Sequence, residues 1–313
     1  MRLCRYEQNG TTQVGVYRDA TILPLHATAK SQGISLPDTA CLLEFLPGGA
    51  SFDAVENLQA RIESLSTQET DKLALDANAV KLLVPIPNPS KLLLLAGNYS
   101  AHIEEGGGRA EERERTFPYV FMKPPSTTLT NPGDPVRIPA VSPDHIDWEL
   151  ELGVIIGKRC QSVTEADALQ YVAGYTVVND ISDRKFKPNP GRAQRDKDGY
   201  FDWLHGKWHD TFCPMGPCVL PAADAPDPQK LKMTLRVNGH VEQDASTADM
   251  VFPVAAVIEF ISSFVTLEPG DVISTGTPSG VGASKGKFLK PGDVLEAQIQ
   301  NIGVLRNPVA ASE

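Results

Sequence analysis

Glu149 and Glu151 stand two residues apart in Asp147-Trp-Glu-Leu-Glu-Leu-Gly-Val-Ile-Ile156. Charged and apolar residues alternate to Leu152, and the run then turns wholly apolar up to Gly157. Alternation marks a strand, whose successive side chains point to opposite faces. The two glutamates therefore share a face, with Cα atoms roughly 6.6 Å apart at the usual strand rise. Two bare carboxylates on one face repel, more so when buried, and a cation resolves the conflict. Oxygen-only ligands favour a hard divalent ion such as Mg²⁺ or Mn²⁺. A third carboxylate is at hand if the apolar strand Thr176-Val-Val-Asn-Asp180 pairs with the first and ends at Asp180. The bland alternative is the wet face of an edge strand; the apolar run that follows points instead into the core.

His102 and Glu105 are three apart, so on a helical turn Glu105 can orient the imidazole and stabilise its charge. A neutral imidazole so held can take a proton from water. Gly106-Gly-Gly108 follows and provides a hinge; the bland alternative is a surface histidine on a polar loop. Lys207 can stabilise an oxyanion or grip a carboxylate. Arg184, four residues after Asp180, can grip a carboxylate with two nitrogens. Lys123, before Pro124-Pro125, is a further cation, and Thr277 a hydroxyl donor. Taken singly, each cation reads more readily as a solvated surface charge. The loop Gly276-Thr-Pro-Ser-Gly280 lacks the Gly-Lys-Ser/Thr of a nucleotide-binding loop.

These side chains need a frame. The 313 residues suffice for one large domain or two. Hydrophobic content of 41% and charged content of 22% are ordinary for a soluble protein. The net charge of −10, with no basic block, argues against nucleic acid and anionic lipid as partners. No apolar run reaches the length of a membrane span. Met1-Arg-Leu-Cys-Arg-Tyr6 has no signal-peptide core. The five scattered cysteines fit a reducing compartment, hence a cytoplasmic location, and Cys213 and Cys218 read as ordinary thiols.

Residues 1–82 read as a small module. It has a hairpin at Asn9-Gly10 and a helix over Asp53–Leu65, spaced through Val55, Leu58, Ile62 and Leu65. Pro85, Pro87 and Pro89 stiffen a connector. Residues 83–313 read as strand-rich. Pro-Gly-Asp recurs at 132–134, 269–271 and 291–293, each a turn feeding a strand. Thr164 and Asp167 suggest a capping box, and Pro253–Phe264 a buried helix.

Across roughly residues 90–310, the chain resembles the fumarylacetoacetate hydrolase superfamily. The resemblance rests on Ala96-Gly-Asn-Tyr-Ser-Ala-His-Ile-Glu-Glu105, Phe121-Met-Lys-Pro-Pro125, the Glu149/Glu151 strand, Val178-Asn-Asp-Ile-Ser-Asp-Arg184, Gly206-Lys207 and Gly270–Gly282, in that order. It implies an α+β, β-rich fold: a mixed β-sandwich roll of the fumarylacetoacetate hydrolase type with a small N-terminal α/β module. It implies a metal on Glu149, Glu151 and Asp180, with Mg²⁺ expected and Mn²⁺ or Ca²⁺ as alternatives. A lid over residues 98–116 would carry the His102–Glu105 pair that activates water, and the protein would be a homodimer.

The expected activity is hydrolysis of a carbon–carbon bond in a small anionic 2-oxo acid, an acylpyruvate or 2,4-diketo acid. The stretch 185–218 further resembles hydrolases of 2,4-diketo-3-deoxy sugar acids. In this reading His102, Glu105 and Lys207 are catalytic, while Arg184, Lys123 and Thr277 bind substrate. The alternatives are decarboxylation or keto–enol isomerisation, and a catalytically silent metal-binding paralogue. In one respect the chain departs from the pattern: some family hydrolases have glutamine three residues after the arginine, where this chain has Lys187.

Overall fold

The computed structural model describes residues 1–110 and 113–312. Elements used below are strands β1 (Leu3–Gln8), β2 (Thr11–Arg18), β3 (Leu92–Ala96), β4 (Tyr119–Met122), β5 (Leu150–Ile156), β6 (Val172–Asn179), β7 (Cys213–Pro221) and β8 (Val272–Ser274). The helices are α1 (Phe52–Glu63), α2 (Ser100–Glu105), α3 (Asp198–His205) and α4 (Val254–Ser262).

Among the described residues the chain is α+β and strand-rich. One long mixed sheet runs β2-β1-β7-β6-β5-β8-β3-β4, extended beyond β2 by Thr21–Pro24 and Leu75–Asp76. A second sheet of five strands is built from residues 136–138, 232–237, 240–246, 294–299 and 303–311. In β5, β6 and β7 every residue is buried. Sequences this apolar need cover on both faces, and two clusters of apolar side chains provide it. Residue 82, the expected boundary, lies within Lys81–Leu83, a strand that pairs with β1 just before the proline connector. Val14, Leu58, Leu94, Ile155 and Met215 nevertheless lie in one core cluster that spans that boundary.

Local chemistry explains several elements. Asn9 and Gly10 take left-handed backbone angles (φ 51° and 74°), which close β1 on β2 with Gln8 opposite Thr11. Each Pro-Gly-Asp glycine has positive φ, and each aspartate amide donates to the carbonyl three residues back. α1 buries Val55, Leu58 and Ile62 as expected but ends at Glu63, which leaves Leu65 beyond it and only half-buried, and α4 buries its apolar face, ending before the exposed Phe264.

Two expectations need correction. The strand expected from Asp147 onward is interrupted. Ile146–Asp147 pairs with Ser182–Asp183, and β5 starts only at Leu150. Between them, side chains replace ladder partners: Trp148 N–H donates to Asp147 Oδ1 and Glu149 N–H to Asn179 Oδ1. The capping box at Thr164 does not form. The Thr164 hydroxyl donates to the Asp167 carboxylate at 2.9 Å, so neither side chain serves the helix amides.

Candidate metal centre and active site

Register places the carboxylates. In the β5/β6 pair Glu151 lies opposite Val178, and Asp180 N–H donates to Glu149 O just beyond the last paired residues. Glu151, Glu149 and Asp180 therefore emerge on one face at the same sheet end. One oxygen from each lies within 4.8 Å of the others, and all three residues are buried. The wet-edge alternative is thereby excluded.

Ser274 Oγ at 2.6 Å and Gly276 N–H at 2.8 Å both donate to Glu151 Oε2. Gly276 has φ +87°, and a Cβ there would meet Asn98 Cβ at 2.9 Å, so only glycine aims this amide at the carboxylate. Glu151 Oε1 is buried and, among the described residues, has no partner. Burial, then the charges of Asp180 and Glu149, push the Glu151 carboxyl well above its usual range. A clustered, oxygen-only set with one buried unpartnered acceptor fits a hard divalent cation.

Cations wall the cluster. Lys207 Nζ donates to Glu149 Oε2 and Asp180 Oδ2, both at 2.6 Å. Burial pulls the Lys207 ammonium down, but Asp180 and Glu149 outweigh it and raise it. Glu149 moves the opposite way: burial raises it, while the charges of Arg184 and Lys207 overcome this and hold it far below the carboxylate range. Arg184 Nε donates to Asp147 Oδ2 at 2.8 Å and Nη1 pairs with Glu149 at 2.7 Å. Its Nη2 is buried without a partner among the described residues. One nitrogen, not two, is thus left for a substrate carboxylate.

Lys123 is buried and ion-paired to Asp180, and donates to Ile181 O at 2.9 Å and Phe212 O at 2.5 Å. The Thr277 hydroxyl donates to Leu150 O and accepts from Gln243 Nε2, both at 2.9 Å. For either residue a direct substrate contact requires exchange of one of these bonds.

α2 carries the histidine. Its root is fixed by Asn98, whose side chain donates to Phe252 O and Thr275 O and accepts from Phe252 N–H. His102 Nδ1 and Glu105 Oε1 are 2.8 Å apart, as the i, i+3 spacing implied. Glu105 Oε2 accepts from Gly280 N–H at 2.9 Å, which latches α2 to the 276–282 loop. Of the expected lid over 98–116, Glu111 and Glu112 lie outside the described residues.

The structure also assigns work to residues not singled out beforehand. Asp147 accepts from Arg184, Gly282 N–H and Ala283 N–H, and so fixes the arginine and the loop together. It opens the same charged alternation as the glutamates, so its pattern was visible. Ser274 lay within the quoted Gly270–Gly282 motif, but nothing local distinguishes it from Thr275 or Ser279.

The fumarylacetoacetate (FAA) hydrolase C-terminal family profile matches residues 91–310. A mitochondrial oxaloacetate tautomerase of Xenopus laevis is 41% identical over 253 residues, 78% of this chain and 75% of that protein. A 2,4-didehydro-3-deoxy-L-rhamnonate hydrolase of Sphingomonas sp. (strain SKA58) is 41% identical over 230 residues, covering 72% and 75%. The crystal structure of maleylpyruvate hydrolase from Sphingobium sp. SYK-6, in complex with manganese(II) ion and pyruvate, aligns over 100% of both chains with a TM-score of 0.74 and 29% identity. The match over 91–310 takes in every residue of the site built above, and the chain belongs to the fumarylacetoacetate hydrolase family.

Proposed function

We propose that the protein is a divalent-metal-dependent hydrolase of small anionic 2-oxo acids, cleaving a carbon–carbon bond in an acylpyruvate or 2,4-diketo acid. A 2,4-diketo-3-deoxy sugar acid is the most specific form of this reading. The observation that carries it is the pair of unpartnered buried atoms, Glu151 Oε1 as acceptor for a cation and Arg184 Nη2 as donor for a carboxylate. The relatives support it: one is named for hydrolysing a 2,4-didehydro-3-deoxy acid, and another holds manganese with pyruvate. Mg²⁺ is the expected ion, and the oxygen-only set also accepts Mn²⁺ or Ca²⁺.

Glu149, Glu151 and Asp180 would hold the cation, which when bound supplies Lewis-acid stabilisation of negative charge on substrate oxygens. Arg184 Nη2 grips the substrate carboxylate. Glu105 holds the Nδ1 side of His102, leaving Nε2 as the base that takes a proton from water. The resulting hydroxide adds to the distal carbonyl, facing the charge of Lys207. The carbon–carbon bond then breaks, its electron pair leaves as an enolate, and His102 returns the proton to carbon.

Keto–enol tautomerisation is the second reading, favoured by the 41% identity to an oxaloacetate tautomerase. The His102–Glu105 pair alone can move a proton between carbon and oxygen, with no water consumed. His102→Ala separates hydrolysis from decarboxylation at saturating Mg²⁺. Acylpyruvate hydrolysis should fall by about 10²–10⁴-fold, the usual worth of a general base. Metal affinity should stay nearly intact, and any oxaloacetate decarboxylation should fall much less. Parallel losses of hydrolysis and decarboxylation would mean that His102 serves a shared step and does not activate water. A wild-type protein that tautomerises oxaloacetate but releases no acid from acylpyruvates would establish the second reading.

The homodimer reading has its own support. β4 is the last strand of the long sheet among the described residues, and Phe117–Met122 carries no charge. Phe117, Tyr119, Tyr200 and Phe264 are 57%, 64%, 56% and 61% exposed around a cavity of about 580 Å³. An uncharged, aromatic free edge is what a second copy would cover.

A further inference from the structure

Buried Asp183 and half-buried His209 form a pair that the chemistry above does not use. Asp183 Oδ2 and His209 Nε2 face each other at 3.4 Å, with side chains 0% and 14% exposed. Neither atom has a hydrogen-bond partner among the described residues, so the approach is a polar contact of charge-pair length and not a formed hydrogen bond. The other carboxylate oxygen, Oδ1, accepts from Lys185 N–H at 3.1 Å. The imidazole is held edge-on by two rings, Phe186 with centroids at 4.8 Å and Phe212 at 5.0 Å. Buried polar groups of this kind are rarely left facing one another without a role.

The position of the pair supplies the role. Asp183 lies between Asp180 and Arg184 in sequence, and its backbone pairs with Ile146. His209 lies two residues after Lys207, in the turn that follows α3. That turn delivers Lys207 Nζ to Glu149 and Asp180, and offers Phe212 O to Lys123. One further bond joins the two segments, from Asp183 N–H to Gly206 O at 3.0 Å. Asp183 thus meets the turn on both sides of Lys207, by an amide hydrogen bond before the lysine and by the 3.4 Å carboxylate–imidazole contact after it.

We propose that Asp183 and His209 are positioning residues, whose contact clamps the turn carrying Lys207 onto the segment carrying Asp180 and Arg184. The pair touches no reacting atom; it acts through Lys207, which has three methylene carbons' worth of freedom beyond its Cβ and needs a fixed base to reach two carboxylates at once.

Hydrogen exchange and ligand binding test this in wild type, His209→Leu, His209→Gln, Lys207→Met and the His209→Leu/Lys207→Met double variant. Gln retains a donor near the Nε2 position, whereas Leu retains only bulk. Without ligand, amides of residues 205–212 should exchange at least about tenfold faster in His209→Leu, with β5 and β6 unchanged, which is the signature of local rather than global opening. Unchanged exchange in the turn, or faster exchange throughout the sheet, would overturn the clamp.

Calorimetry with oxalate on the Mg²⁺-loaded protein tests the route through Lys207; this arm rests on the 2-oxo acid reading. His209→Leu should weaken oxalate about tenfold and His209→Gln less than about threefold, a tenfold change being about 1.4 kcal/mol. In the Lys207→Met background, His209→Leu should add less than about twofold, since residues acting as one unit are not additive. Equal losses in both backgrounds would show that His209 does not act through Lys207. If the wild-type protein takes up no oxalate, the 2-oxo acid reading fails, and the exchange measurement still decides the clamp.

Discussion

At the scale of single residues, the site is a problem in unlike charges. Three buried carboxylates meet three cations: Arg184 pairs with Glu149, Lys207 with Glu149 and Asp180, and Lys123 with Asp180. Glu151 is the member without a cationic partner, and its carboxyl is correspondingly displaced upward. It is therefore the carboxylate that gains most from a bound cation. Glu151→Gln should weaken Mn²⁺ binding, measured by electron paramagnetic resonance, by more than about 100-fold. Ser274→Ala removes only a supporting donor and should cost about 10–100-fold, the usual range for such a partner. Equal affinities in wild type and Glu151→Gln would remove Glu151 from the ligand set.

At the scale of elements, short segments are pinned at few points and respond locally. α2 is joined to the 276–282 loop through Glu105 and Gly280. Burial raises the Glu105 carboxyl, but bonds from His102, Gly280 N–H and Ser284 outweigh it, so it sits below its ordinary 4.5. A carboxylate with a depressed value adds stability that is complete above about pH 4.5 and lost as pH falls through the lowered value. Protection of the 100–108 amides should accordingly decline on acidification below about pH 4.5, before β5 and β6 lose theirs. At neutral pH, oxalate should increase the same protection if this segment closes over substrate. Equal protection with and without oxalate would rule out a moving lid.

The turn after α3 depends on a close approach. A Cβ at Gly206 would meet Asp183 O at 2.5 Å, although the residue's φ of −63° suits any side chain. Gly206→Ala is an overpacking substitution and should destabilise by about 1–3 kcal/mol in chemical denaturation. It should also lower turnover, because the displaced backbone precedes Lys207. A variant of wild-type stability and rate would show that the contact relaxes without consequence.

At the scale of the whole molecule, the long sheet ends at β4 among the described residues, and we propose the aromatic edge there as the surface for a second copy. Tyr119→Lys should shift sedimentation from dimer to monomer at micromolar concentration, because charge on an edge strand blocks strand pairing. Sedimentation as a dimer in both proteins would place the interface elsewhere. No helix among the described residues is long and apolar enough to cross a membrane. We propose that residues 1–82 form a module of their own. The core cluster it shares with Leu94, Ile155 and Met215 means that removing it would expose apolar surface on the remainder.

The sequence by itself determined the parts of this protein that depend on spacing along one segment. The period of two put Glu149 and Glu151 on one face, the three-residue spacing joined His102 to Glu105, and Asn9-Gly10 and the Pro-Gly-Asp turns followed from backbone preferences alone. The ordered motifs named the family, and with it the strand-rich fold. What no local pattern contains is the partner brought from elsewhere. The break at Trp148–Glu149 exists because Asn179, thirty residues on, supplies the bond that a ladder would have made. Arg184 lost its two-nitrogen grip to Asp147 and Glu149, and Thr277 and Lys123 have their donors taken by Leu150, Ile181 and Phe212. Hydrogen-bonding capacity belongs to the residue and is written in the sequence. Its allocation is a competition among groups that only the tertiary structure brings within 3 Å, and burial makes each allocation costly to reverse.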